Sequence, residues 1–287
     1  MIDSQPSSLE FTGYTPTWCA GCGNWGIGKA IELALKKQEL TPDSVAMLFD
    51  IGCSGNMNDF INAYAMHTLH GRALATAVGV KTANHHLPVL VTGGDGALYG
   101  EGGNHFLHAC RGNHDLTVVV HDNSVYGLTT GQVSPTAQKG SKSRSTPGGI
   151  IERPVNPLLL ALTQGATFVA QGFTAQLPQL AELIKAGMQH KGLSVINVLQ
   201  PCVTFNKTNT YAYYIKNSYA LPADHDTSSF AAALEQAQAT FAERFPLGIL
   251  YQTERPTYQD ELSQISEQAL VKRDRFEDFA KLLGGFE

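Results

Sequence analysis

The chain has 287 residues and a formal charge of −5, and its 43% hydrophobic and 16% charged content is enough for a sizeable buried core. The slight acidity argues against a general nucleic-acid binder, which carries a basic footprint. No run approaches the roughly 18 apolar residues of a membrane-spanning helix, and five cysteines in a chain this long exclude a disulfide-stapled scaffold.

From the N-terminus, residues 1–11 (MIDSQPSSLEF) have neither the basic nor the apolar stretch of a signal peptide, so a cytoplasmic location with reduced cysteines is expected. Residues 24–37 place Ile27, Ala30, Ile31, Leu33 and Leu35 near one helical face and end in a basic turn suited to the helix dipole. Residues 44–50 read as a strand, 59–67 and 72–83 as helices, 87–92 as a strand, 104–110 as a helix and 116–121 as a strand. Helices are expected again over 156–163 and 177–190, and a strand over 193–199. The strands are continuous apolar runs, as strands buried on both faces should be. This alternation predicts an α/β fold, doubly wound, with a mainly parallel sheet and helices on both faces. Ligands then bind at the carboxyl ends of the strands. Residues 127–149 are rich in Gly, Ser, Thr and Pro and carry Lys139, Lys142 and Arg144. A loop that long is usually functional. From Asn206 onward the pattern is irregular, with Tyr211, Tyr213 and Tyr214 close together, and the charged stretch 259–283 is expected to be helical. The expected organisation is a binding domain over 1–205 and an extension over 206–287 that packs on it or on a partner.

Two motifs carry chemistry. The strand over 87–92 runs into Gly93-Gly94-Asp95-Gly96, and the strand over 116–121 runs into Asp122-Asn123, so Asp95 and Asn123 lie 28 positions apart, each just past a strand end. Neighbouring parallel strands would bring both side chains to one edge. Mg²⁺ takes hard oxygen ligands and shares them with phosphate oxygens. Glycines beside Asp95 let backbone N–H groups approach a diphosphate. Tyr99 stands where a dinucleotide fingerprint would need a glycine, and no Gly-Lys-Ser/Thr follows for a P-loop. The pattern resembles the thiamine diphosphate motif, a GDG followed by a distant Asn. That resemblance implies Mg²⁺ held by Asp95, Asn123 and the backbone carbonyl of Val125.

The second motif is Cys19-x-x-Cys22 with Cys53 and Cys202, each in a turn at a strand or helix end. Zinc and an iron–sulfur cluster both accept four thiolates. Scattered buried cysteines are the plainer alternative. Cys110 sits in a helical run with Phe106, Leu107 and Ala109 and reads as core.

Together the segments resemble the β subunit of the 2-oxoacid:ferredoxin oxidoreductases over nearly the whole chain. The marks are WCAGCG at 18–23, GCSG at 52–55, HGRA at 70–73, GDG at 94–96, GGNHF at 102–106, DNSVYGLT at 122–129, STP at 145–147 and PCVTFN at 201–206. The tail over 248–257 looks most like the 2-oxoglutarate members. The resemblance implies a thiamine diphosphate-binding fold of the pyrophosphate type. It implies that Cys19, Cys22, Cys53 and Cys202 bind one [4Fe–4S] cluster. The cofactor would lie against Cys53, Ser54, Gly55, Gly94, Asp95, Gly96, Ala97, Asn123, Val125, Tyr126 and Gly127. The implied activity is oxidative decarboxylation of a 2-oxoacid, with coenzyme A taking the acyl group and electrons leaving through the cluster to ferredoxin. The same site would carboxylate an acyl-CoA in reverse. His70 and Arg72 are candidates for facing the diphosphate or the substrate carboxylate, and Arg72 equally for a helix-entry ion pair. Leu128 stands where pyruvate-type relatives carry a polar residue, which favours a larger substrate. Thr129, Thr130 and Gln132 are expected on the site floor.

The family's aminopyrimidine-binding glutamate has no clear counterpart. Glu101 is the nearest in sequence and reads better as a helix-start residue. In the family that glutamate comes from an α subunit, so an αβ dimer, paired again into a two-fold assembly, is expected. Asn56 replaces a basic residue found in several relatives. Lys139, Lys142 and Arg144 suit coenzyme A phosphates, the partner subunit or plain solvent. His67, His85, His86, His105 and His108 lack metal-ligand spacing and read as structural or surface groups.

Overall fold

The computed structural model describes residues 10–273 and Gly284. In chain order the elements are α1 (Asn24–Lys36), β1 (Ala46–Phe49), α2 (Met57–Phe60), β2 (Tyr64–His67), α3 (Ala73–Ala83), β3 (Val89–Gly94), a π-helical turn (Gly96–Glu101), α4 (Gly103–Gly112), β4 (Thr117–Asp122), the short strands β5 (Val125–Tyr126) and β6 (Gln132–Val133), α5 (Pro157–Thr163), β7 (Phe168–Phe173), α6 (Leu177–Gln189), β8 (Ser194–Leu199), α7 (Tyr211–Asn217), β9 (Ser218–Ala220), α8 (Phe230–Gln238) and β10 (Phe245–Gln252).

Eight strands form one sheet in the order β2-β1-β3-β4-β8-β7-β10-β9. The first six run parallel, as the apolar runs predicted, and β10 turns antiparallel against β7. Alternating side chains fill two cores, one on each face. Leu48, Val91, Val118, Val120 and Val195 face α3, α4, α5 and α8. Met47, Phe49, Leu90, Val119, Ile196 and Val198 face Ile27, Ile31, Leu180 and Ile184 of α1 and α6. Each such fully buried side chain contributes about 1.5–3 kcal/mol. Capping follows the sequence at α5, where Asn156 Oδ1 accepts the Leu159 N–H and Pro157 opens the helix.

The structure departs from the sequence reading in four places. Residues 59–67 are the end of the short helix α2 followed by β2, not one helix. All four β2 residues are exposed at the sheet edge, so no buried stripe disciplines their pattern. β7 is a strand that the pattern does not announce, because Gln171 and Gly172 interrupt its apolar run; the buried Gln171 is satisfied by Asn197 and by the Pro246 carbonyl. β9 and β10 extend the sheet with residues from the tail. Within the expected helix over 259–283, residues up to 273 form two 3-10 turns, Ser263–Ile265 and Leu270–Lys272, and positions 274–283 lie outside the described residues. Residues 1–9 also lie outside them. Among the described residues no helix is long and apolar enough to cross a membrane.

Candidate active site

β3 and β4 are hydrogen-bonded neighbours, with Gly94 beside His121. Asp95 and Asn123 therefore leave the sheet side by side. A cleft of about 170 Å³ opens at these strand ends. Cys53, Ser54, His70, Gly94, Asp95, Gly96, Ala97, Asn123, Val125, Tyr126, Gly127, Leu128 and Thr129 line it, together with Ile51, Gly52, His121 and Gln200. Gly55 and Arg72 do not line it. A Cβ on Gly55 would lie 1.8 Å from the Asp50 carbonyl oxygen, so this glycine permits close chain packing behind the cleft. Arg72 donates to the carbonyls of Gly71 at 3.2 Å and Glu101 at 3.3 Å, at the entry to α3.

Asp95 is 1% exposed. Its Oδ2 accepts from Ser134 Oγ and from Thr136 Oγ1, the latter at 2.6 Å. Thr136 Oγ1 also lies 2.7 Å from Asp122 Oδ1. Burial raises the Asp95 pKa against the pull of these donors. Burial first, and then the Asp95 charge, push Asp122 up to about 7. Two carboxylates buried this close repel each other when both are ionised, and a divalent ion at Asp95 would relieve that repulsion. Asn123 Oδ1 accepts the Val125 N–H at 3.0 Å, which fixes the turn that presents both residues. Ser124 between them adopts φ 59, a left-handed conformation rare for serine and characteristic of functional turns.

Among the described residues, two buried polar atoms in the cleft wall lack partners: Ser54 Oγ and His121 Nε2. His121 Nδ1 is held by Asn24 Oδ1 at 2.8 Å, and burial drops its pKa to about 3, so the ring is neutral. Such groups are available to a polar ligand or to water. Glycine at 96 lets the Tyr126 ring close against the Gly-Asp-Gly turn, since a Cβ there would lie 2.2 Å from that ring.

The four cysteines other than Cys110 come together beside this cleft. Burial pushes Cys22 and Cys53 up to about 11. The charges of Cys202, Cys53 and Cys19 add to the shift at Cys22, and those of Cys202 and Cys19 to that at Cys53. A bound cation reverses such a penalty. The ideal Cβ position of Gly127 is 3.4 Å from Cys53 Sγ and 3.7 Å from Cys202 Sγ, so the cleft loop passes close to two of the sulfurs. Trp18 Nε1 donates to the Cys53 carbonyl at 2.7 Å and Trp25 Nε1 to the Cys19 carbonyl at 3.1 Å. Gly23 N–H donates to the Pro201 carbonyl at 3.1 Å, tying the first cysteine loop to the last. Among the described residues no three His, Cys, Asp or Glu side chains are close enough to hold one metal ion. Cys110 is fully buried in the other core.

At the cleft mouth Glu101 gathers His70 and Tyr126. His70 Nδ1 lies 3.4 Å from Glu101 Oε2, and Tyr126 Oη donates to the same oxygen at 3.2 Å. Leu128 is half exposed beside them, and Thr129 donates to Gln132 at 2.5 Å. Sequence reasoning missed Ser134, Thr136, His121 and Gln200. Gln200 carries a signal, since it directly precedes Pro201-Cys202, whereas Ser134 and Thr136 lie in the loop over 127–149 and only the fold brings them to Asp95.

Known proteins resemble the chain over most of its length. Residues 50–198 match the thiamine pyrophosphate enzyme family's C-terminal TPP-binding domain, and residues 202–267 match the C-terminal region of the pyruvate ferredoxin oxidoreductase β subunits. A 2-oxoacid:ferredoxin oxidoreductase β subunit of Saccharolobus solfataricus is 44% identical over 88% of this chain and 87% of its own. The 2-oxoglutarate synthase subunit KorB of Archaeoglobus fulgidus is 45% identical over 68% of this chain and 73% of its own. The solved structure of 2-oxoglutarate:ferredoxin oxidoreductase from Magnetococcus marinus, with 2-oxoglutarate, coenzyme A and succinyl-CoA bound, superposes with a TM-score of 0.89 at 39% identity, covering 100% of this chain and 97% of that one. The sheet order, the cleft and these relatives agree: the chain belongs to the β subunits of the 2-oxoacid:ferredoxin oxidoreductases.

Proposed function

We propose that this chain is the cofactor-bearing subunit of an enzyme converting 2-oxoglutarate and coenzyme A to succinyl-CoA and CO₂, with electrons delivered to ferredoxin, and able to run in the carboxylating direction. The observation that carries the reading is the position of Gly127. It lines the cleft, and a Cβ on it would lie within 3.7 Å of the sulfurs of both Cys53 and Cys202. Cofactor and cluster would then share one wall, as single-electron transfer between them requires.

Mg²⁺ is assigned to Asp95, Asn123 and the Val125 carbonyl, and its charge would offset the buried carboxylate pair. Ser54 Oγ can donate to the cofactor's diphosphate, whereas neutral His121, whose Nδ1–H is spent on Asn24 Oδ1, offers Nε2 only as an acceptor, for an N–H of the cofactor. A [4Fe–4S] cluster is assigned to Cys19, Cys22, Cys53 and Cys202. Bound thiamine diphosphate supplies the carbon nucleophile and electron sink for decarboxylation. His70, Leu128 and Thr129 are assigned to the substrate at the mouth, and Arg72 to holding the loop that carries His70.

An α subunit, bringing the aminopyrimidine glutamate, would close the mouth of the cleft, in an αβ dimer paired across a two-fold axis. The segment 206–287 is read as an extension of the domain over 1–205. A cytoplasmic setting suits four reduced thiols. The test is ferredoxin reduction by the αβ complex with thiamine diphosphate, Mg²⁺ and coenzyme A, across 2-oxoglutarate, pyruvate and branched 2-oxoacids. The highest kcat/KM is expected for 2-oxoglutarate; a tenfold preference for pyruvate would overturn the substrate assignment.

A further inference from the structure

Gln200 stands where the two halves of the site meet. It follows β8, and its backbone N–H donates to the Asp122 carbonyl at 2.8 Å. Its side chain is 1% exposed, so each end of the carboxamide needs a protein partner. Oε1 accepts from Asn123 Nδ2 at 2.9 Å. Nε2 donates to Cys22 Sγ at 3.3 Å and to the Pro201 carbonyl at 3.3 Å.

The direction of this relay is fixed by the backbone. The Val125 N–H donates to Asn123 Oδ1 at 3.0 Å, which turns the Asn123 amide N–H toward Gln200. Gln200 must then offer its oxygen to Asn123, leaving its own N–H groups for the sulfur. Gly23 makes the approach possible: a Cβ there would lie 2.6 Å from Gln200 Cγ. The side chain therefore spans from a magnesium-site residue to a cluster-site cysteine.

Hydrogen bonds to cluster sulfurs tune reduction potential. A donor on sulfur stabilises the more negative, reduced cluster and so raises its potential. We propose that Gln200 is a positioning residue that raises the potential of the cluster through Cys22 while it orients Asn123 for the metal–diphosphate. The inference rests on the assignment of the four cysteines to a [4Fe–4S] cluster.

The test uses the anaerobically purified αβ holoenzyme. Gln200→Met keeps the side-chain length and removes the N–H donor. Iron and sulfide content is measured first, then the midpoint potential by EPR-monitored redox titration. A loaded variant with a more negative midpoint is the expected result. A loaded variant with the wild-type midpoint overturns the inference and leaves the cluster assignment standing. Wild-type protein without iron would sink the cluster assignment and this inference with it. A second measurement needs no variant: pulsed EPR of the reduced wild-type cluster after labelling glutamine side chains with ¹⁵N. A ¹⁵N coupling is expected, and its absence overturns the inference even if Gln200→Met fails to assemble.

Discussion

Asp95 and Asp122 share one hydroxyl: Thr136 Oγ1 lies 2.6 Å from a carboxylate oxygen of the first and 2.7 Å from one of the second. A hydroxyl has a single proton and cannot donate to both. With no cation bound, one carboxyl must bring the missing proton. Burial raises both carboxyls, and the Asp95 charge helps push Asp122 up to about 7, so below that pH the pair holds a proton. Thr136 bridges the two carboxyls, and Ser134 also donates to Asp95.

This pairing makes the stability of the metal-free protein depend on pH. The folded-state pKa of Asp122 stands above its ordinary 3.8, so the folded chain holds a proton that the unfolded chain releases between about pH 4 and about pH 7. The contribution is fully present below about pH 4 and is lost as pH rises through about 7. Asp122→Asn removes the titration. Thermal melts of metal-free protein between pH 5 and 8 should show wild type losing more stability than Asp122→Asn as pH rises; parallel curves would refute the shared-proton account.

Asp95→Ala should abolish tight Mg²⁺–thiamine diphosphate binding. Thr136→Val leaves Asp95 short of a buried donor, and should weaken that binding by about 10–100-fold, the usual effect of removing a group that orients a metal ligand. Calorimetric titration of the αβ complex measures both. Wild-type affinity in Asp95→Ala would sink the magnesium assignment.

The cleft was legible because the motifs sit at strand ends, where an α/β fold gathers ligands. Asp95 and Asn123 needed only the rule that β3 and β4 are neighbours. Ser134 and Thr136 were not legible, because no local period marks a hydroxyl that a loop returns to a carboxylate some forty residues earlier; their separations from Asp95 are 39 and 41 positions. β7 escaped notice because its buried Gln171 is satisfied by Asn197 and Pro246, partners that only the folded sheet supplies. Edge strand β2, exposed at every position, lacked a buried face to read.

Cys202→Ala and Cys110→Ala should part company. Loss of Cys202 removes a sulfur from the group beside Gly127, and the protein should lose its iron. Cys110 packs in the core with Phe106 and Ala109, so its truncation should leave iron content unchanged and cost about 1 kcal/mol of stability. Iron analysis with a thermal melt distinguishes them. Iron lost from Cys110→Ala and kept in Cys202→Ala would overturn the ligand set.

Gly96→Ala places a methyl group 2.2 Å from the Tyr126 ring. The ring must move out of the cleft wall and away from Glu101, which it now meets at 3.2 Å. Thiamine diphosphate affinity should fall at least tenfold while the sheet stays folded, by circular dichroism. Undiminished affinity would show that Tyr126 does not shape the binding cleft.

Four cysteines beside a thiamine cleft are assigned to a redox cluster, and the proposed electron path depends on it. Iron and acid-labile sulfide content of anaerobically purified protein, with its visible spectrum, tests that assignment most directly. About four of each per chain, with absorbance that bleaches on reduction, is the expected result. One zinc and no iron would contradict the account and leave a thiamine-binding subunit without its electron path.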